Sequence, residues 1–237
     1  MFKKIVAGLA TLSAIATGVY LLLIRPWHLR WGATDEEVRQ PMPGDDEVKH
    51  PMYRTTRAIT IKARPAEIWP WLVQMGYRRG GLYSYDWLDR LFGILDRPSA
   101  ESIIPEFQNL KVGDVIPLGA GPNWPVKAIE SNRSLLIALH DPQNPEFALT
   151  WSWGIYPLDE THTRLVSRVR GRLASTLGGF LMLIILDPTA FLMERKMLLG
   201  IKRRAERRSE TSPEPDEEAA AGQAQQNKLA AESRKVF

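Results

Sequence analysis

Four histidines, His28, His50, His140 and His162, limit the acid–base chemistry open to this chain. His140 is followed by Asp141 at the end of an apolar run, and the two make the best general acid–base couple on offer, with Tyr83, Tyr85 and Asp86 as partners at a cavity mouth. A turn completed by Pro142 accounts equally for His140 and Asp141, and packed rings with surface-bonded hydroxyls account for the tyrosines. Both readings stand at this level. No two histidines have the spacing of His-Glu-x-x-His, so neither a metal centre nor a cofactor is expected. No serine sits in a Gly-x-Ser-x-Gly setting, and Gly119-Ala120-Gly121-Pro122 lacks the helix that a phosphate cradle needs. The chain has no cysteine, which excludes disulfides, thiol catalysis and cysteine-bound zinc.

Positioning these groups falls to an alternation of strands and helices. Arg57–Lys62 alternates as a strand, and Pro65 opens a helix in which Ile68, Trp71, Leu72 and Met75 fall at i, i+3, i+4 and i+7, with Gly76 placed to end it. A short helix is expected over Trp87–Leu95, then a turn and strand over Leu110–Pro117. Strands follow at Trp124–Ile129, Ser134–His140, Ala148–Pro157 and Thr163–Arg172. In the last, Arg164, Arg168, Arg170 and Arg172 share one face, which is expected to be wet, and Leu165 and Val169 share the other. From Gly178 to Leu186 the chain is uncharged, and Asp187-Pro188 reads as an N-cap and first helical position that separates a short apolar lip from a long amphipathic helix.

The flanks are of different kinds. Ile5–Ile24 is twenty residues without charge, and at about 1.5 Å per residue a helix of that length spans roughly 30 Å. Residues 1–24 therefore read as a membrane anchor in preference to a cleaved signal, residues 25–55 as a linker laid against the domain, 56–208 as the domain and 209–237 as a disordered polar tail. Six acids against three bases give the tail −3, which leaves +7 on residues 1–208. Beside an apolar span that excess favours anionic membrane lipid as a partner, and without any nucleic-acid motif it does not point to nucleic acid. The basic cluster Lys202, Arg203, Arg204, Arg207 and Arg208 tilts the expected single-pass orientation toward a cytoplasmic domain. Oligomeric state stays open.

A strand, short helices, an antiparallel run and a closing helix make an α+β layout. The segments Thr60–Leu72, Leu82–Asp86, Val112–Val115, Thr163–Val166 and Met197–Lys202 together resemble the START-like superfamily, also called SRPBCC or polyketide cyclase/dehydrase and lipid transport, over about Arg57–Arg208. The resemblance implies a helix-grip fold, in which a curved antiparallel sheet wraps the last helix around a cavity for an apolar small molecule. The candidate ligand-binding residues are Trp71, Tyr83, Tyr85, Leu135, Ile137, Leu139, Trp151, Trp153, Phe191, Met193 and Met197. The expected function is a membrane-anchored domain that binds or senses a hydrophobic molecule or lipid. Two alternatives stand beside it: a cyclase- or hydrolase-like enzyme using the same cavity, and a structural membrane protein that recruits a partner.

Overall fold

The computed structural model describes Gly8, Thr11, Leu12 and residues 15–119, 123–141, 143–172 and 177–211, without the side chains of 145, 146, 177–186 and 211. Residues 15–19 are helical and pass through a π-helical turn at Tyr20–Ile24 into α1 (Arg25–Leu29). Among the described residues no helix is long and apolar enough to cross a membrane, so the anchor expected over residues 1–24 finds no support here. Much of the first half of that segment lies outside the described residues. α2 (Asp35–Arg39) is fixed by a capping box, in which the Thr34 hydroxyl accepts from the Glu37 amide at 3.1 Å and the Glu37 carboxylate from the Thr34 amide at 2.8 Å.

The domain proper is one six-stranded antiparallel sheet in the order β1-β6-β5-β4-β3-β2. β1 (Tyr53–Ile61) begins earlier than the alternation from Arg57 suggests. α3 (Pro65–Val73) starts on Pro65, with the Glu67 carboxylate accepting from the Arg64 amide at 2.7 Å. Its Ile68, Trp71 and Leu72, with Met75 just beyond, are buried as their spacing requires. α4 (Asp86–Leu91) is shorter than the helix expected there. The meander follows as β2 (Val115–Pro117), β3 (Asn123–Glu130), β4 (Ser134–Asp141), β5 (Asn144–Pro157) and β6 (Thr163–Arg172). β6 then pairs with β1, matching Arg57 to Ser167 and Ile61 to Thr163.

Period-two alternation gives the sheet a greasy inner face. Leu135, Ile137, Trp153, Ile155 and Leu165 are buried there against Met197, Leu198, Ile201 and Ala205 of α5 (Leu177–Thr211), with α3 alongside. The six-stranded sheet with its long C-terminal helix is consistent with the helix-grip layout. At Gly200 α5 passes close to the loop after α3: a Cβ there would stand 2.3 Å from the Tyr83 carbonyl oxygen, so only glycine fits.

Two expectations are corrected. Asp187-Pro188 does not divide the last helix, which runs unbroken from Leu177 to Thr211. The Asp187 carboxylate is drawn to Arg25 and Tyr53 and is not available to cap a new helix. The side chains of the expected lip, Gly178–Leu186, lie outside the described residues. The basic outer face of β6 is not wet either. Arg168 is 2% exposed, and its guanidinium donates to Asp45 at 2.6 Å and to the carbonyls of Glu37 and Gln40 at 2.6 and 2.9 Å. Arg164 pairs with Glu37 at 2.7 Å, and Arg170 donates to the Val48 carbonyl at 2.8 Å. The segment before β1 is therefore strapped over the sheet, with Met42 packed on Ala58 and Val166 beneath it. Three arginines on one face need partners, and the chain supplies Glu37, Asp45 and backbone carbonyls.

Candidate functional site

Between the inner face of the sheet and α5 lies a cavity of about 320 Å³. From the helix it takes Ala190, Met193, Glu194 and Met197, and from the strands Tyr53, Trp124, Leu149, Trp151 and Val169. Leu82, Ser84, Ile94 and Leu118 close it from the loops. Ser84 and Ile94 flank α4 in the chain, and Trp87 and Leu91 of that helix are 66% and 72% exposed. Trp151 stacks obliquely on the core residue Trp153 with ring centroids 4.6 Å apart, which backs this aromatic part of the wall.

Of the side chains expected to bind ligand, Trp151, Met193 and Met197 line this cavity. Trp71, Tyr83, Leu135, Ile137 and Trp153 are packed in the core, where the Tyr83 hydroxyl donates to the Trp71 carbonyl at 3.1 Å. Leu139 lies opposite Leu149 on β4 and does not line the cavity. Phe191 faces the other way, its ring centroid 5.5 Å from that of Trp27 and 5.1 Å from that of His28. Tyr85 lies under the Lys196 ammonium, 5.5 Å from ring centroid to nitrogen.

One wall carries charge. Arg57 on β1 and Glu194 on α5 form an ion pair, with side-chain exposures of 1% and 7%. The other Glu194 oxygen accepts from the Ser167 hydroxyl at 2.8 Å, and Ser167 in turn accepts from the Trp151 indole N–H at 2.8 Å. Burial works against the Arg57 charge, and Glu194 and Tyr53 together more than offset it, so the guanidinium pKa ends raised. Arg57 Nη2 has no hydrogen-bond partner among the described residues, and its guanidinium carbon lies 5.3 Å from the centroid of Phe191. The sequence carried a signal for this pair. Arg57 shares its strand face with Ile59 and Ile61, and Glu194 falls in the helical register of Phe191, Leu198 and Ile201, so one charge of each sign points inward.

A second polar knot joins the first helix to α5. Asp187 is buried; it accepts from the Arg25 Nε at 3.0 Å and from the Tyr53 hydroxyl at 2.9 Å, and His28 Nε2 lies 3.7 Å away. Burial lowers the His28 imidazole below its ordinary 6.5, against the pull of Asp187. On α4, Asp89 is fully buried and its carboxylate has no hydrogen-bond partner among the described residues. Burial raises it from 3.8 to about 6.

The acid–base couple does not assemble at the cavity. His140 Nε2 lies 3.5 Å from Glu47, on the side of the sheet away from α5, and Asp141 accepts from the Gln143 amide at 2.9 Å. Asp86 accepts from the Ser99 amide and hydroxyl at 3.0 and 2.7 Å. The basic cluster of α5 closes largely on Glu101, which pairs with Arg203, Arg204 and Arg207, while Lys202 donates to the Thr60 carbonyl at 2.8 Å. Among the described residues no group of His, Asp and Glu side chains is gathered as a metal site.

No protein-family model matches the chain, and no curated protein matches it. Among solved structures it is similar to protein MLL2253 from Mesorhizobium loti, with 14% identity over 68% of this chain and 100% of that chain and a TM-score of 0.38. It is similar to the Aha1 dimer from Colwellia psychrerythraea, with 18% identity over 64% and 98% of the two chains and a TM-score of 0.37. It is also similar to the di-domain ARO/CYC BexL from the BE-7585A biosynthetic pathway, with 12% identity over 65% and 47% and a TM-score of 0.36. Likeness at this level carries no argument about activity, and the functional reading rests on the cavity.

Proposed function

We propose that this protein binds a small apolar molecule between its sheet and its last helix. The observation that carries the reading is the cavity of about 320 Å³, within the range of about 300 to 1,000 Å³ that ligand pockets occupy. Two methionines and two tryptophans supply an adaptable wall with a large contact area. A scaffold that only recruits a partner has no use for such a hollow. The enzyme reading has less support, since His140, Asp141 and Tyr85 stand off the cavity and the Glu194 carboxylate in its wall is engaged by Arg57 and Ser167.

Tethering at a membrane is the second part of the proposal. It rests on the twenty uncharged residues Ile5–Ile24 and on the exposure of Leu12, Ile15, Val19, Leu22 and Leu23. It also rests on the knot at Asp187, which fixes the base of that segment to α5. Organic extraction of the purified full chain followed by mass spectrometry tests the first part: an apolar compound in stoichiometric amount supports it. Alkaline carbonate washing of cell membranes tests the second, and release of the chain into the supernatant contradicts it.

A further inference from the structure

Among the described residues, the side chains that line the cavity include a single charged group, Glu194, whose placement bears on the head group of whatever enters. An ionised carboxylate only accepts hydrogen bonds, and it has roughly four lone-pair positions. Arg57 occupies one through Nη1 and the Ser167 hydroxyl another. Neither of these two donors lines the cavity. Glu194 is therefore the member of the ion pair that a ligand in the hollow would meet. Of the two hydroxyls in the wall, that of Tyr53 donates to Asp187 at 2.9 Å, and Ser84 Oγ accepts from the Tyr85 amide at 2.6 Å.

We infer that the ligand has an apolar body ending in one hydrogen-bond donor, an alcohol, phenol or amine, with Glu194 as its acceptor, and that carboxylic acids of the same skeleton are excluded. This rests on the reading of the cavity as a binding site. A hydroxyl entering beside Glu194 makes a charge-assisted bond, while the matching ether leaves its oxygen facing another acceptor. A carboxylate brings a second negative charge into a site with little water to screen it. Removal of the Glu194 charge exposes the uncompensated Arg57 and reverses that repulsion.

Isothermal titration of the full chain at pH 7 with 1-naphthol, 1-methoxynaphthalene and 1-naphthoate separates these terms. The expected order places naphthol at least about tenfold tighter than methoxynaphthalene, a factor of about 1.4 kcal/mol, with naphthoate weakest. In Glu194→Gln the advantage of naphthol over methoxynaphthalene shrinks and naphthoate gains on both. Equal binding of naphthol and methoxynaphthalene by the wild-type chain overturns the inference and leaves the apolar site standing. Failure of all three to bind overturns the site and the inference together. The wild-type comparison decides the matter without the variant, should Glu194→Gln fold poorly.

Discussion

Glu194 of α5 accepts from Arg57 of β1 inside the fold, and neither side chain is more than 7% exposed. The pair joins the sheet's closing strand to the helix it grips, at the edge of the cavity. Breaking such a pair from one side costs far more than replacing both members by apolar groups. Glu194→Ala is expected to lower unfolding stability by about 3 to 5 kcal/mol. The double change Arg57→Met with Glu194→Leu restores most of that loss. Chemical unfolding of the three proteins checks the cycle, and additive losses contradict the buried-pair account.

Asp187 holds three elements at once, since Arg25, Tyr53 and His28 all converge on it. Asp187→Ala leaves the Tyr53 hydroxyl buried without its acceptor and frees Arg25. The expected cost is about 2 to 3 kcal/mol, with faster tryptic cleavage after Arg25 and Arg30 than in the parent. Unchanged cleavage means the first helix is held by its aromatic contacts to Phe191 alone.

Asp89 predicts a dependence on pH whose sign is fixed. Its folded pKa, about 6, stands above the ordinary 3.8, so the folded state binds this proton more tightly than the unfolded one. Stability from this group is greatest in acid and falls as pH rises through 3.8 toward 6, beyond which the loss is complete. Asp89→Asn is therefore stabilising by roughly 2 kcal/mol at pH 8, with the gain fading toward pH 4. Thermal unfolding at both pH values reads the difference, and a gain equal at the two refutes it.

Arg168 pins the segment before β1 to the outer face of the sheet through Asp45 and two carbonyls. Arg168→Ala is expected to cost about 2 to 4 kcal/mol, as for a buried charge network. It should speed amide exchange over residues 37–48 while β4 and β5 stay protected. Loss of protection spread evenly over the sheet contradicts a strap held at this point.

Much of the fold was legible because it follows local periodicity. The alternation in Ala148–Pro157 places Leu149, Trp151, Trp153 and Ile155 on the inner face, where they are found, and the stripe Ile68–Met75 is buried as its spacing demands. What misled was charge read without its partner. Four arginines on one face of β6 look wet until Glu37 and Asp45 come to them from more than a hundred residues away in the chain. Asp187-Pro188 looks like a helix start until the Asp187 carboxylate is seen to be claimed by Arg25. The cavity was legible in Trp151, Met193 and Met197, while Trp71, Tyr83 and Phe191 carry the same hydrophobic signature and pack elsewhere. Residue type separates buried from exposed; it does not separate the wall of a hollow from a filled core, which is decided by the spacing of sheet and helix.

The most direct test of the central claim is titration of the full chain with N-phenyl-1-naphthylamine, a neutral probe that brightens in apolar surroundings, compared with a Val169→Phe variant that fills the cavity. Overpacking costs about 1 to 3 kcal/mol, so retained folding is checked by circular dichroism on the same samples. The account predicts saturable binding near one probe per chain, weakened at least about tenfold in the variant. Equal affinity in the two proteins, or no saturable binding to the parent, contradicts it.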